Sequence, residues 1–198
     1  MARLKRQIAG PPPRERILAA ARELFYRDGI RAVGVETIAA AAGTNKMTLY
    51  RHFASKDELV AEYLGLLAAE GDAIWDAARA QHPGDAQAQL RALLLRVSQF
   101  ADECTGRGCA LANAAVELAE RDHPARRIIE EHKRRTRERL VALCREVGYA
   151  HPERLADEIF LLVEGARVSL QSVGPQGPGS RLFALAEALL DAAPRRAA

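Results

Sequence analysis

Aromatic residues make up only 5% of this chain of 198 residues, so its core must be aliphatic. Alternating β-branched stretches are almost absent, which argues against sheets and barrels. No apolar run approaches the ~18 residues that a membrane-spanning helix needs. The three cysteines, Cys104, Cys109 and Cys144, are odd in number and contain no C-x-x-C, so neither a disulfide framework nor a zinc site is expected. Common catalytic signatures are missing as well: there is no G-x-S-x-G, no phosphate-binding loop and no dinucleotide-binding glycine pattern. No metal, cofactor or enzymatic activity is expected. Met1-Ala-Arg-Leu-Lys-Arg has no apolar region behind its charges, so a secretory signal is not read and a cytoplasmic location is expected.

What the chain does contain is helical material. It is 48% hydrophobic, and Ala, Leu, Arg and Glu dominate. An all-α fold follows. The formal net charge of +3 is unevenly placed. Residues 1–59 carry eleven Lys or Arg against six Asp or Glu, and the remainder eighteen against twenty. A basic head on a near-neutral body fits a head that meets phosphate.

Thr37 to Leu59 is the richest stretch. Ile38, Ala39 and Ala42 make a short apolar helix face, and Gly43 ends that helix where a tight turn needs positive φ. Ala39, four residues before the glycine, is small enough for two helices to cross closely. Thr44 is read as the N-cap of a second short helix, anchored by Leu49, whose early residues Asn45, Lys46 and Thr48 are polar. Ser55-Lys56-Asp57-Glu58 has capping-box spacing and opens a third helix. This is the pattern of a helix-turn-helix, whose second helix presents its first residues to base edges.

The string Ile38-Ala39, Ala42-Gly43, Thr48-Leu49-Tyr50, His52-Phe53, Ser55-Lys56 and Leu59 resembles the N-terminal domain of the TetR family of bacterial transcriptional repressors. The likeness covers about residues 14–63. Gly34 departs from it, standing where the family often has a capping Thr or Ser, and Thr44 replaces a usual Val. The resemblance implies a three-helix DNA-binding head and a larger helical body for ligand binding and dimerisation. It implies that Lys46, Met47 and Thr48 face bases, that Tyr50, His52 and Lys56 hold phosphates, and that Asn45 and Arg51 assist. It further implies a homodimer on a palindromic double-stranded operator, released by an unidentified small-molecule effector. Two other readings stay open on residues alone: a helical-bundle enzyme with a degenerate head, and a DNA binder with no effector.

About nine helices are expected in three regions. Residues 1–13 read as a flexible basic tail, or as an arm adding DNA contacts; residues 14–59 as the head; and residues 60–198 as the body. The helices are placed at about 14–28, 35–42, 45–52, 56–81, 85–103, 109–120, 124–147, 151–173 and 180–193, with Pro and Gly at their ends. A single Glu120-x-x-His123 is too little for a di-iron site, which needs two such motifs and further glutamates. The basic run Lys133–Arg139 interleaves with Glu130, Glu131 and Glu138 and reads as a solvated, ion-paired face.

Cys109, Asn113 and Glu117, spaced i, i+4 and i+8, are candidate ligand-binding residues, with Trp75 and Phe100 as wall candidates. Cys109 is either a pocket or sensor thiol, which Cys104 could approach, or an ordinary small apolar residue. The apolar positions of the eighth and ninth helices, among them Leu161, Val168, Leu185 and Leu189, exceed what one body needs and predict a dimer seam.

Overall fold

The computed structural model describes residues 10–103, 107–120 and 122–196, and for residues 100–103 the backbone alone. The expected basic arm lies outside the described residues, apart from Gly10–Pro12. Among the described residues there are nine α-helices and no strand. They are α1 (Pro13–Asp28), α2 (Val35–Ala41), α3 (Lys46–His52), α4 (Lys56–Gln81), α5 (Ala86–Glu103), α6 (Ala110–Glu117), α7 (Pro124–Glu146), α8 (Pro152–Val173) and α9 (Leu182–Ala192), with a 3-10 turn at Pro178–Arg181 before α9. No helix is long and apolar enough to cross a membrane among these residues.

Local chemistry explains the ends. Pro13, Pro124 and Pro152 occupy first turns, where their missing N–H leaves nothing unpaired. The first helix therefore begins at Pro13, one residue before the sequence places it. Asp85 caps α5, its Oδ1 accepting from the Ala88 amide at 2.9 Å. His123 Nδ1 accepts from the Ala125 amide, and its Nε2 lies 3.4 Å from Asp57, so this histidine serves as a helix cap. The sixth helix stops at Glu117 rather than Glu120, because Leu118 leaves helical geometry to bury its side chain.

Two apolar clusters organise the molecule. The upper one joins α1–α4 to the body through Leu111, Ala114, Leu118, Ala125 and Ile129, around Leu49, Phe53, Leu59 and Leu64. The lower one gathers Leu90, Leu94, Leu140, Cys144, Leu155, Ile159, Ala186 and Leu190 from α5 and α7–α9. Helix α4 runs through both, and α7 packs against α4, α5, α6 and α8. The chain end is tied back by Ala150 and Arg196 amides bonding Pro194 and Gly148 carbonyls, with the Arg195 guanidinium 4.1 Å from the Tyr149 ring.

The basic run on α7 corrects the expectation of a solvated face. Arg134 pairs with Glu131 and Glu138 on the surface as expected. Lys133, Arg135 and Arg139 are instead half-buried cross-links: the two arginines reach Asp72 on α4, each at 2.8 Å, and Lys133 reaches Glu164 on α8 at 2.6 Å. Four-carbon and guanidinium stems lie along the apolar layers while their charges meet between helices. His132 packs in the same zone, its Cε1 2.7 Å from where a Cβ on Gly71 would stand. A side chain at Gly71 would force the imidazole to shift.

Candidate nucleic-acid interface

The head surface is built from a rigid turn. Gly43 takes φ +62, letting the Thr44 amide reach the Ala39 carbonyl at 2.9 Å and its own amide reach Ala40 at 3.0 Å. These bonds satisfy the last carbonyls of α2 and fix the angle at which α3 leaves. Leu49 is fully buried and pins α3 against α1 and α2. The cap of α3 differs from the sequence reading. Asn45, not Thr44, sits at the N-cap, its Oδ1 accepting from the Thr48 amide at 2.9 Å. The Thr44 amide closes the preceding turn, which leaves the capping position to the next residue. At α4, Ser55 Oγ accepts from the Glu58 amide at 3.0 Å and the Glu58 carboxylate accepts from the Ala54 amide, one residue outside the usual capping box.

With Leu49 and Phe53 inward, the other face of α3 points to solvent. Lys46, Met47, Tyr50 and Arg51 are exposed along it, flanked by Asn45, and Thr48, His52 and Lys56 are half-buried at its edge. Met47 is 76% exposed, which no packing need explains. None of the eight predicted contact residues is buried: five are exposed and three half-buried. Burial lowers the Lys56 ammonium from its usual range, opposed by Asp57 and Glu117. Sequence reasoning missed Glu36. Its carboxylate lies 2.6 Å from Lys46 Nζ; the hydrogen bond raises the ammonium and lowers the carboxyl from their ordinary values. An exposed acid ten residues away from its partner leaves no pattern that would have singled it out.

The four ligand candidates whose side chains are described do not line one cavity. Asn113 and Glu117 line a crevice of about 10 Å³ with Phe25, Tyr26, Ile30, Tyr63, Arg107, Ala110 and Ala114, room for about one water. Burial pushes the Tyr63 phenol up to about 12. Cys109 does not line the crevice; it packs against the upper cluster, with its Sγ 3.9 Å from Arg167 on α8. Trp75 lies beside the lower cluster, under Arg139. The side chain of Phe100, and all of Cys104, lie outside the described residues.

Asn113 and Glu117 already have partners. Asn113 Nδ2 donates to the Arg107 carbonyl at 2.6 Å. Glu117 Oε2 accepts from the Arg31 amide at 3.1 Å, in the turn between α1 and α2, and stands 3.1 Å from the Cβ position of Gly29. Arg107 donates to the Arg27 carbonyl. The segment around α6 is thus bonded to the head at the end of α1. Among the described residues no group of three His, Cys, Asp or Glu side chains could hold a metal.

Comparison with known proteins places this arrangement. The family profile described as bacterial regulatory proteins, tetR family, matches residues 17–63. The crystal structure of a TetR-family transcriptional regulator from Streptomyces coelicolor superposes with a TM-score of 0.85 at 30% identity, covering 90% of this chain and 94% of that one. The HTH-type transcriptional repressor KstR2 of Mycobacterium tuberculosis is 28% identical over 173 residues, 83% of each chain. The HTH-type transcriptional activator FasR of Mycolicibacterium smegmatis is 46% identical over 54 residues, 27% of this chain and 23% of that one.

Proposed function

This chain belongs to the TetR family of bacterial transcriptional regulators, and from that premise we propose that it is a ligand-responsive repressor acting as a homodimer on a palindromic operator. The observation that carries the reading is the exposed face of α3. A helix pinned by Leu49 holds Lys46, Met47, Tyr50 and Arg51 to solvent in a geometry that no core requirement explains. Lys46, Met47 and Thr48 are the base-reading group, because a major groove accepts the front of such a helix and guanine offers O6 and N7 to a lysine. Tyr50, His52 and Lys56 take phosphates, with Asn45 and Arg51 beside them. Repression rather than activation is favoured by the likeness to KstR2, which runs through the body as well as the head.

The dimer forms through α8 and α9. Leu161, Val168 and Leu185 are 69%, 59% and 47% exposed, a row too apolar to face water on a lone chain. The effector site lies around α6, at the crevice lined by Asn113 and Glu117, which a ligand must widen beyond the room for one water; Cys109 opens the same helix, and Trp75, beside the lower cluster, stands apart from it. A ligand that takes the Glu117 carboxylate removes its bond to the Arg31 amide, and the head then loses a support that the DNA-binding state uses. Coupling of this kind needs only unequal ligand affinity for the two states.

The test is selection of duplexes from a random library, followed by salt-dependent binding. Tyr50→Phe and Lys56→Ala are expected to weaken selected and random DNA alike. Lys46→Ala is expected to change preference at one base pair per half-site by about 1–3 kcal/mol. Identical behaviour of all three variants on both DNAs overturns the assignment of roles. For the effector, Cys109→Ser with Asn113→Leu is expected to alter the inducer response and leave operator affinity without inducer nearly unchanged; an unchanged dose–response removes these residues from the pocket.

A further inference from the structure

The cation assigned to base reading is held by an acid on the same surface. Lys46 Nζ and a Glu36 carboxylate oxygen are 2.6 Å apart, on side chains 52% and 66% exposed. Nothing in the core asks for Glu36, since its neighbours Val35 and Ile38 supply the packing of α2. Gly34 at the N-cap provides no capping side chain, and the Glu36 carboxylate folds back over that first turn, where its own amide supports it. The Gly43 turn and buried Leu49 fix α2 against α3, so the fold itself keeps acid and ammonium within reach.

We propose that Glu36 is a specificity-determining residue of the DNA-binding head: it withholds Lys46 from phosphates and yields it only to a neutral base edge. The inference rests on the DNA-binding reading above. An ammonium has three donors. It can keep one on Glu36 while giving others to guanine O6 and N7, which are uncharged acceptors. A phosphate cannot share it in the same way, because two anions would then stand side by side. Left without Glu36, Lys46 would take any phosphate in range, and each phosphate taken adds counterion release and sequence-independent affinity. The acid therefore lowers binding to random DNA more than binding to the preferred site.

The test uses the full chain, a random duplex and a duplex selected by the wild-type protein. On random DNA, Glu36→Gln is expected to bind on the order of fivefold tighter per head near 0.15 M salt, with a log–log salt slope steeper by roughly 1 per head. On the selected duplex the gain is expected to be smaller, so the specificity ratio falls. In a Lys46→Ala background the Glu36→Gln effect is expected to vanish. Equal gains on both duplexes that persist in Lys46→Ala overturn the inference, because they describe a general loss of negative charge. If Glu36→Gln frays α2 by circular dichroism, Gly34→Ser with Glu36→Gln restores a capping oxygen and carries the same comparison. If no duplex is enriched by the wild-type protein, the DNA-binding reading falls and the inference with it.

Discussion

Head and body carry charge in opposite ways. On the head, the face of α3 holds Lys46, Tyr50 and Arg51 to solvent with Lys56 half-buried beside them, and Lys46 is paired by one exposed acid. In the body, part of the charge is drawn inward: Asp72 links α4 to Arg135 and Arg139, and Glu164 links α8 to Lys133 on α7 while pairing with Arg167 of its own helix. The body also exposes large apolar side chains along α8 and α9, Leu161, Val168 and Leu185 among them. The contrast teaches where function sits. Cations that face solvent on a rigid helix are available to an outside anion, whereas cations cross-linking helices hold a shape.

The sharpest break of this contrast is to put charge where the body is apolar. Leu161→Glu with Leu185→Glu is expected to give a monomer by light scattering at micromolar concentration. Operator affinity is expected to drop by about 100-fold or more, since two linked heads bind far more tightly than one. A dimer that survives both changes places the seam elsewhere.

A second comparison separates the two apolar clusters. Leu118→Ala and Leu155→Ala each remove a buried leucine and are each expected to cost about 2–5 kcal/mol. Leu118 belongs to the upper cluster and Leu155 to the lower one. Hydrogen exchange should therefore quicken in α2 and α3 for Leu118→Ala, although that residue follows α6 in the body. Leu155→Ala should leave those amides slow. If the two variants give the same exchange pattern, the clusters act as one unit.

Much of this was legible in the sequence. Apolar spacing and Pro–Gly punctuation located the helices, because those signals act over a few residues. Ser55, Asp85 and Gly43 were readable for the same reason. Asn45 was misassigned as a follower of Thr44 because both residue types cap helices and only the path of the turn decides between them. The cross-links of α7 were hidden for a different reason: Asp72 stands more than sixty residues from Arg135 and Arg139. The sequence shows their charge and not their partner. Glu117 sits at a legible helical spacing from Asn113, yet its bond is to the Arg31 amide, a backbone group with no residue signature.

That bond gives the third prediction. Glu117→Gln keeps the shape and weakens the acceptor, so it is expected to destabilise the α1–α2 turn by about 1 kcal/mol. The amides of Arg31 to Val35 should exchange faster, with dimerisation untouched. An unchanged rate at Arg31 shows that the Glu117 bond does not hold the α1–α2 turn.

The smallest expected effect concerns His132, where the body takes an ionisable ring into its interior. The groups facing it are Lys133, Arg135 and Arg167, which oppose its protonation, and Asp72, which favours it. Burial is the largest influence, and the folded-state value lies below the ordinary 6.5. Its Nδ1 is buried without a hydrogen-bond partner among the described residues. On acidification the unfolded chain takes the proton first, so it binds more protons than the folded one, and stability falls as pH drops below about 6.5. Once the pH passes below the folded-state value, this loss stops growing. Urea melts at pH 7.5 and 5.5 should show a larger decline for the wild-type protein than for His132→Gln. The decline should appear in exchange at α4 and α7 around Gly71 and not in α3, whose surface groups meet water in both states. Equal declines in the two proteins mean that the imidazole is hydrated in the folded state, and the contrast between an open head and a closed body then fails at that point.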